Sequence, residues 1–317
     1  MEMASLSLMR LAVIDLGTNT FNLLIVDINS KEHQVVFNTK EAVKIGEDAL
    51  IACKLQPIPI SRAKKTLAEY VNIISEHKCD QTFAFATSGI RSTSNGQNFV
   101  DEVKDELGLE ISIIDGNEEA QLIYDGVDLA IPFSKEPSLV IDIGGGSTEF
   151  IIADNSGVLW KKSYKLGISR ILQMLEPSDP VKESDLMRLD ELLSSELKEL
   201  VLNCEKFQVQ TLVGSSGSFD SFAEMMWADK GISQSTKDIV SEEFDLTDVA
   251  KLHSKLILAD WTTRSQIPGL VEMRVETIHL ASYLVQWVLE KCALERLLLS
   301  TYALKEGVLH RVMEDRL

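Results

Sequence analysis

Three short stretches place small, hydroxyl-bearing residues where apolar runs end. Gly17-Thr18-Asn19-Thr20 follows a run that closes on Asp15. Gly144-Gly145-Gly146-Ser147-Thr148 follows a run that closes on Asp142. Gly214-Ser215-Ser216-Gly217-Ser218 lies between an apolar run and a helical pattern. Turns of this composition present backbone N–H groups to an anion, with hydroxyls and an amide beside them. The three glycines of the second stretch let a ligand come close to the backbone, because they lack a Cβ. A helix that starts after such a turn suits a phosphate. One such stretch alone reads as a tight turn and nothing more. Three at strand ends point to a phosphoryl site between two domains.

Carboxylates sit beside these turns. Asp15 and Asp142 each end a strand, and a carboxylate facing a phosphate needs a cation between them. Mg²⁺ suits that position, since it takes few protein carboxylates and keeps waters and phosphate oxygens as ligands. The other reading is that each Asp caps its own turn. Glu118 and Glu119 open a helix after Gly116-Asn117, a place where the helix dipole alone accounts for acidic residues. Arg91, in Thr87-Ser88-Gly89-Ile90-Arg91, follows a strand and has the fork geometry to clamp a phosphate. Its plain alternative is a surface ion pair.

The elements that must hold these residues occur twice. Residues 13–26, VIDLGTNTFNLLIV, align without a gap on residues 140–153, VIDIGGGSTEFIIA. Asp15 falls on Asp142, Gly17 on Gly144 and Thr20 on Ser147. Each copy is an apolar strand, a polar turn and a second apolar strand, which predicts a hairpin. The separation is far longer than a solenoid repeat and suits two related domains.

After the first hairpin the pattern predicts a strand over 34–43 and a helix from Ser61 with Ala63, Leu67, Val71 and Ile74 on one face. A strand over 81–87 follows, then a helix over 98–107 stopped by Gly108, a strand over 109–114 and a helix over 118–129. After the second hairpin come a strand over 158–165 and a long helix over 183–204, with Leu186, Leu189, Leu193, Leu197 and Leu200 on one face. A strand over 210–214, helices over 219–227, 248–258 and 276–292, a strand over 296–300 and a helix over 304–313 complete the chain. This order predicts two α/β domains. Pro132 and Pro137 bracket a polar stretch, so the domains are expected at 1–133 and 134–317, with the last helix able to pack back on the first.

Composition agrees with that size. The chain has 317 residues, 45% hydrophobic and 25% charged, which is enough apolar surface for two cores. A formal charge of −18 excludes a general double-stranded nucleic-acid binder, whose affinity comes from cations on phosphates. Cys53, Cys79, Cys204 and Cys292 lack the spacing of a zinc or CxxC site and are expected as small buried hydrophobes. The richest apolar stretch, 279–289, contains His279, Ser282 and Gln286, so no membrane helix is predicted. Glu2 and Arg10 make a poor signal peptide, which leaves a cytoplasmic location as the expectation. The apolar residues after Glu276 suit a core, and could alternatively form a homodimer face.

The motifs AVIDLGTNTFNLLIVDI, FATSGIRSTSNGQNF, ISIIDGNEEAQLIYDGV, LVIDIGGGSTEFIIA, KLGISR, LVGSSGS, PGLVEMRVETI and YALKEGV resemble those of the exopolyphosphatase and guanosine-pentaphosphate phosphatase (Ppx/GppA) family, in the family's order and over nearly the whole chain. The resemblance implies two ribonuclease-H-like, actin-like domains with a cleft between them, and Mg²⁺-dependent hydrolysis of a terminal phosphoanhydride. It implies that Glu119 activates water with Glu118 beside it. It also implies that Asp142 and Glu149 hold metal or orient water, that Asp15 belongs to the first phosphate motif, and that Arg91 binds phosphate. The substrate it implies is inorganic polyphosphate, or alternatively guanosine pentaphosphate; a non-catalytic alarmone sensor is a third reading. Departures are small: Thr18 and Thr20 stand where serines are usual, Ser215 where glycine is common, and Glu276 where aspartate is usual.

Overall fold

A computed structural model describes residues 9–29, 33–314 and 316. Its strands are β1 (Met9–Leu16), β2 (Phe21–Ile28), β3 (His33–Glu41), β4 (Gln81–Ala86), β5 (Ser112–Ile113), β6 (Ser138–Ile143), β7 (Thr148–Asp154), β8 (Gly157–Tyr164), β9 (Thr211–Ser215), β10 (Ser241–Phe244) and β11 (Arg296–Ser300). Its helices are α1 (Ala49–Ala52), α2 (Pro57–Glu76), α3 (Ser88–Arg91), α4 (Gly96–Leu107), α5 (Gly116–Ala130), α6 (Ile168–Leu175), α7 (Glu183–Glu196), α8 (Lys198–Phe207), α9 (Gly217–Asp229), α10 (Leu246–Leu258), α11 (Trp261–Ser265), α12 (Ile278–Lys291) and α13 (Leu304–Met313).

The chain divides into two compact units. The first comprises the described residues through Gly126 together with those from Leu304 onward; the second runs from Val127 to Ala303. The division falls inside α5 rather than at 133/134, and α13 belongs to the first unit. Prolines mark where a helix must stop, whereas the division follows packing, which runs on through the helix.

Each unit holds one sheet. The first has the order β3-β2-β1-β4-β5, with β1 antiparallel to β2 and parallel to β4. The second has the order β10-β11-β9-β6-β7-β8, with β6 antiparallel to β7 and parallel to β9. Without β10 the two orders are the same, so the duplication read in the hairpins extends to the whole sheet. Leu11 to Ile14 and Leu139 to Ile141 are fully buried, as central strands covered on both faces must be. This doubled arrangement of three antiparallel strands followed by parallel ones is an α/β fold with two ribonuclease-H-like sheets.

The core of the first unit gathers Ala12, Ile14, Leu23, Ala63, Leu67, Phe99 and Val103. That of the second gathers Leu139, Ile141, Leu193, Leu200, Phe219, Leu284 and Val288. The apolar residues of α12 are therefore core. The helix expected over 183–204 is interrupted at Leu197, whose ψ of 16° opens the backbone between α7 and α8. Leu189, Leu193, Leu197, Leu200 and Cys204 still bury one continuous face, so the apolar period reports the face and not the break. Cys204 and Cys292 are buried as expected, but Cys53 is exposed and Cys79 half-buried. Among the described residues no helix is long and apolar enough to cross a membrane.

Candidate active site

The hairpin turns are built alike. In the first, Leu16 pairs with Phe21 and Gly17 N–H donates to Thr20 O at 3.0 Å. In the second, Ile143 pairs with Thr148 and Gly144 N–H donates to Ser147 O at 3.0 Å. The segment after the third strand then grips each turn. Lys44 N–H donates to Asn19 O (2.8 Å) and Gly46 N–H to Thr18 O (3.1 Å). In the second unit Ile168 N–H donates to Gly144 O, and Ser169 and Arg170 N–H to Gly145 O, all at 3.0 Å; Arg170 Nε donates to Gly146 O at 2.9 Å. In a trans peptide the following N–H points opposite to its carbonyl. The amides of Asn19 and Thr20, and of Gly145, Gly146 and Ser147, therefore point away from these gripping segments. A Cβ on Gly167 would lie 2.4 Å from the backbone of Gly145 and Gly146, so only glycine permits the approach. Lys44-Ile45-Gly46 and Lys165-Leu166-Gly167 repeat after the third strand of each unit, a signal the hairpin alignment stopped short of.

In the first unit Glu119 lies in the opening turn of α5 and is 7% exposed, while its neighbour Glu118 is exposed. Asp115 caps the helix, its Oδ1 accepting from Asn117 N (2.8 Å) and Glu118 N (2.9 Å). The dipole and the cap account for Glu118. They do not account for a buried Glu119, which pairs with Arg91: Nη1 of Arg91 donates to Glu119 Oε2 at 2.8 Å and to Ile114 O at 2.8 Å. Arg91 ends α3, the turn in which Gly89 packs against Thr18. The structure thus brings Arg91, Glu119 and the first turn onto one framework, with Arg91 engaged by a carboxylate. Asp15 accepts from Asn22 Nδ2 at 3.0 Å.

In the second unit Asp142 and Glu149 face each other across β6 and β7, where the first unit pairs Asp15 with Asn22. Both are buried, Glu149 at 1%. Directly opposite residues have Cβ atoms about 4.5–5.5 Å apart, and like charges there are destabilising. Ser215 Oγ donates to Asp142 Oδ2 at 2.7 Å and Ser163 Oγ to Glu149 Oε1 at 2.7 Å. Hard oxygen donors of this kind fit Mg²⁺, which completes its shell with water and phosphate oxygens. Among the described residues no group of three or more His, Cys, Asp or Glu side chains forms a full protein cage.

The third turn is joined to the second. Ser216 adopts φ 69° and its Oγ donates to Ile143 O at 3.1 Å. Gly217 and Ser218 then open α9. A Cβ on Gly217 would stand 1.5 Å from Nη2 of Arg274, whose Nη1 donates to Ser221 Oγ at 3.3 Å. A guanidinium thus covers the positive end of α9. Burial pulls its pKa below the ordinary arginine value, opposed by the Asp220 carboxylate. A cation held at a helix N-terminus favours an anion beside it. Arg274 was legible only as the one arginine of PGLVEMRVETI; nothing local in the sequence ties it to a turn some sixty residues away.

Fold and turns together define a doubled ribonuclease-H-like α/β protein with three small-residue turns on two sheets. The chain belongs to the Ppx/GppA phosphatase family, matched over residues 24–316, and is a hydrolase of that class. It is similar to an exopolyphosphatase of known crystal structure from Cytophaga hutchinsonii, at 34% identity and TM-score 0.94, covering 96% of this chain and 98% of that one. Exopolyphosphatase 1 of Mycobacterium tuberculosis is 25% identical over 309 residues, 97% of this chain and 89% of the relative. The Ppx/GppA family member of Aquifex aeolicus, at 24% identity and TM-score 0.81 over 98% of this chain and 100% of that one, shares the fold.

Proposed function

We propose that this protein is an exopolyphosphatase that releases orthophosphate from the end of inorganic polyphosphate. The observation that carries the reading is the buried Glu119, held at the start of α5 against Arg91 and beside the first turn. The family and the relatives named exopolyphosphatase support the substrate class.

In this reading the backbone amides of Gly17–Thr20, Gly144–Thr148 and Gly214–Ser218 bind phosphoryl oxygens, and Arg91 clamps one of them. Glu119 orients a water and takes its proton as the water oxygen bonds to the terminal phosphorus in line with the departing bridge oxygen. The bridge P–O bond breaks, and the shortened chain leaves as an anion. Asp142 and Glu149 would hold Mg²⁺. When bound, the ion would supply charge neutralisation for phosphoryl oxygens. Glu118 stands beside the base, exposed in the same opening turn.

The test is phosphate release from polyphosphates of several lengths, guanosine pentaphosphate and ATP, by wild type and Glu119→Gln. Release from polyphosphate that the variant loses is the expected result. Release from the pentaphosphate alone would make the protein an alarmone phosphatase. Release from none of them, with tight nucleotide binding, would make it a sensor.

A further inference from the structure

The last helix crosses the helix that carries Glu119. Gly307 of α13 comes so close to α5 that a Cβ there would stand 1.8 Å from Leu122 O and 3.1 Å from Gly126 N. Those two atoms are the acceptor and donor positions of one i, i+4 rung of α5. The crossing is therefore backbone on backbone and leaves no room for a side chain. One turn further along α13, Arg311 Nε donates to Asp125 Oδ2 at 2.6 Å. Asp125 is 2% exposed, and Gln121 Nε2 donates to its other oxygen at 3.2 Å. The glycine contact sets the separation of the two helices. The buried ion pair sets how α5 slides and rotates. Leu122 lies on the same face as Glu119, three residues on. A hydrogen-bonded helix moves as a unit, so a shift imposed at Leu122 reaches Glu119. α13 also packs on β1, the strand that carries Asp15 and leads into the first turn.

We propose that Gly307 and Arg311 are positioning residues for Glu119, an inference that rests on Glu119 being the water-activating carboxylate. The C-terminal helix is a strut that holds the carboxylate at its working distance. A misplacement of about 1 Å is enough to cost about 10²-fold in rate, and no contact between α13 and substrate is required.

The experiment is steady-state hydrolysis of polyphosphate by the full chain as Gly307→Ala, Arg311→Gln, Arg311→Lys and Glu119→Gln. Each is assayed well below its unfolding midpoint, with the stoichiometry of polyphosphate binding measured by calorimetry. Gly307→Ala and Arg311→Gln are expected to lose about ten- to hundredfold in kcat, with KM and binding stoichiometry at wild-type values. Arg311→Lys is expected to recover most of the loss. If Gly307→Ala does not fold, Arg311→Gln decides. A folded variant with near wild-type kcat beside an inactive Glu119→Gln would overturn the positioning role alone. A loss of kcat matched by a loss of binding sites would also overturn it, since unfolded protein would then be the cause. An active Glu119→Gln would overturn the base assignment, and the positioning role with it.

Discussion

Arg91 Nη1 lies 2.8 Å from Glu119 Oε2, and the same nitrogen donates to Ile114 O. Two residues with separate roles in the proposed reaction, a phosphate clamp and a base, thus begin as partners. A guanidinium has five donors in a planar fork, so Arg91 can keep the Ile114 carbonyl and still turn donors to a phosphate. A phosphoryl group that draws Arg91 toward itself would loosen its hold on Glu119 and leave that carboxylate to a water. The pair would then couple arrival of substrate to availability of the base.

Replacing Arg91 tests that coupling. Arg91→Ala is expected to lower kcat/KM by about 10²-fold or more, the scale found on removing a single charge-stabilising donor from an active site. Arg91→Lys should recover little, because an ammonium lacks the fork. Steady-state kinetics on polyphosphate would separate the roles. A rise in KM together with a fall in kcat is the expected pattern. A fall in kcat with KM unchanged would restrict Arg91 to holding Glu119, and unchanged kinetics would remove it from the site.

The facing carboxylates of Asp142 and Glu149 make a prediction about metal. Opposed like charges on a strand pair cost up to about 1 kcal/mol. In the presence of a chelator, Glu149→Gln should therefore be as stable as wild type or more so, by up to about 1 kcal/mol. Adding Mg²⁺ should reverse the order, because a ligand at 100 times its Kd stabilises the native state by about 2.7 kcal/mol and the variant has lost one of the donors. Thermal melts of both proteins with EDTA and with Mg²⁺ would show it. Equal Mg²⁺ shifts in the two proteins would place the ion elsewhere.

The contact of Gly217 with Arg274 predicts a different balance. Gly217→Ala brings a Cβ against the far end of a flexible side chain, which can swing aside. Stability should be unchanged or raised by up to about 1 kcal/mol, since alanine restricts the unfolded chain. Displacing Arg274 should raise KM for polyphosphate while kcat changes little. An unchanged KM would show that Arg274 is packing and not part of the phosphate site.

Patterns confined to neighbouring residues were legible in the sequence. The gapless match of 13–26 on 140–153 is a property of two hairpins, and the β1–β2 and β6–β7 registers reproduce it pair for pair. Helix faces were legible through their period, as at Leu189, Leu193 and Leu200. What escaped depends on distant residues or on single torsions. The ψ of Leu197 breaks a helix without disturbing its apolar stripe. β10 (Ser241–Phe244) has only Phe244 buried and two glutamates, and it is a strand because β11 offers it an edge. The Arg91–Glu119 pair spans 28 positions and Arg311–Asp125 spans 186, so no local composition could announce them. The return of α13 to the first unit, allowed for in the sequence, is fixed by these distant contacts and not by the prolines.

His279 gives the pH dependence of stability a defined window. It is buried in α12, and its Nδ1 has no hydrogen-bond partner among the described residues. Burial, aided by the nearby Arg264 guanidinium and opposed by Asp179, pushes its pKa down to about 4. The unfolded chain has the ordinary value of about 6.5. Between those values the unfolded state binds a proton that the folded state refuses, so stability is complete above about pH 6.5 and falls as the pH drops toward 4. At about 1.4 kcal/mol per pH unit the full effect is about 3 kcal/mol. His279→Leu removes the titrating group and the unpartnered nitrogen together. Urea unfolding at pH 5 and pH 7.5 should therefore show wild type losing stability between the two conditions and the variant losing less, with the variant the more stable at pH 5. The same loss in both proteins would assign the acid sensitivity between pH 5 and pH 7.5 to other groups; Asp27 beside Arg10 is not among them, because its stabilising contribution disappears only as the pH falls below the ordinary carboxylate range.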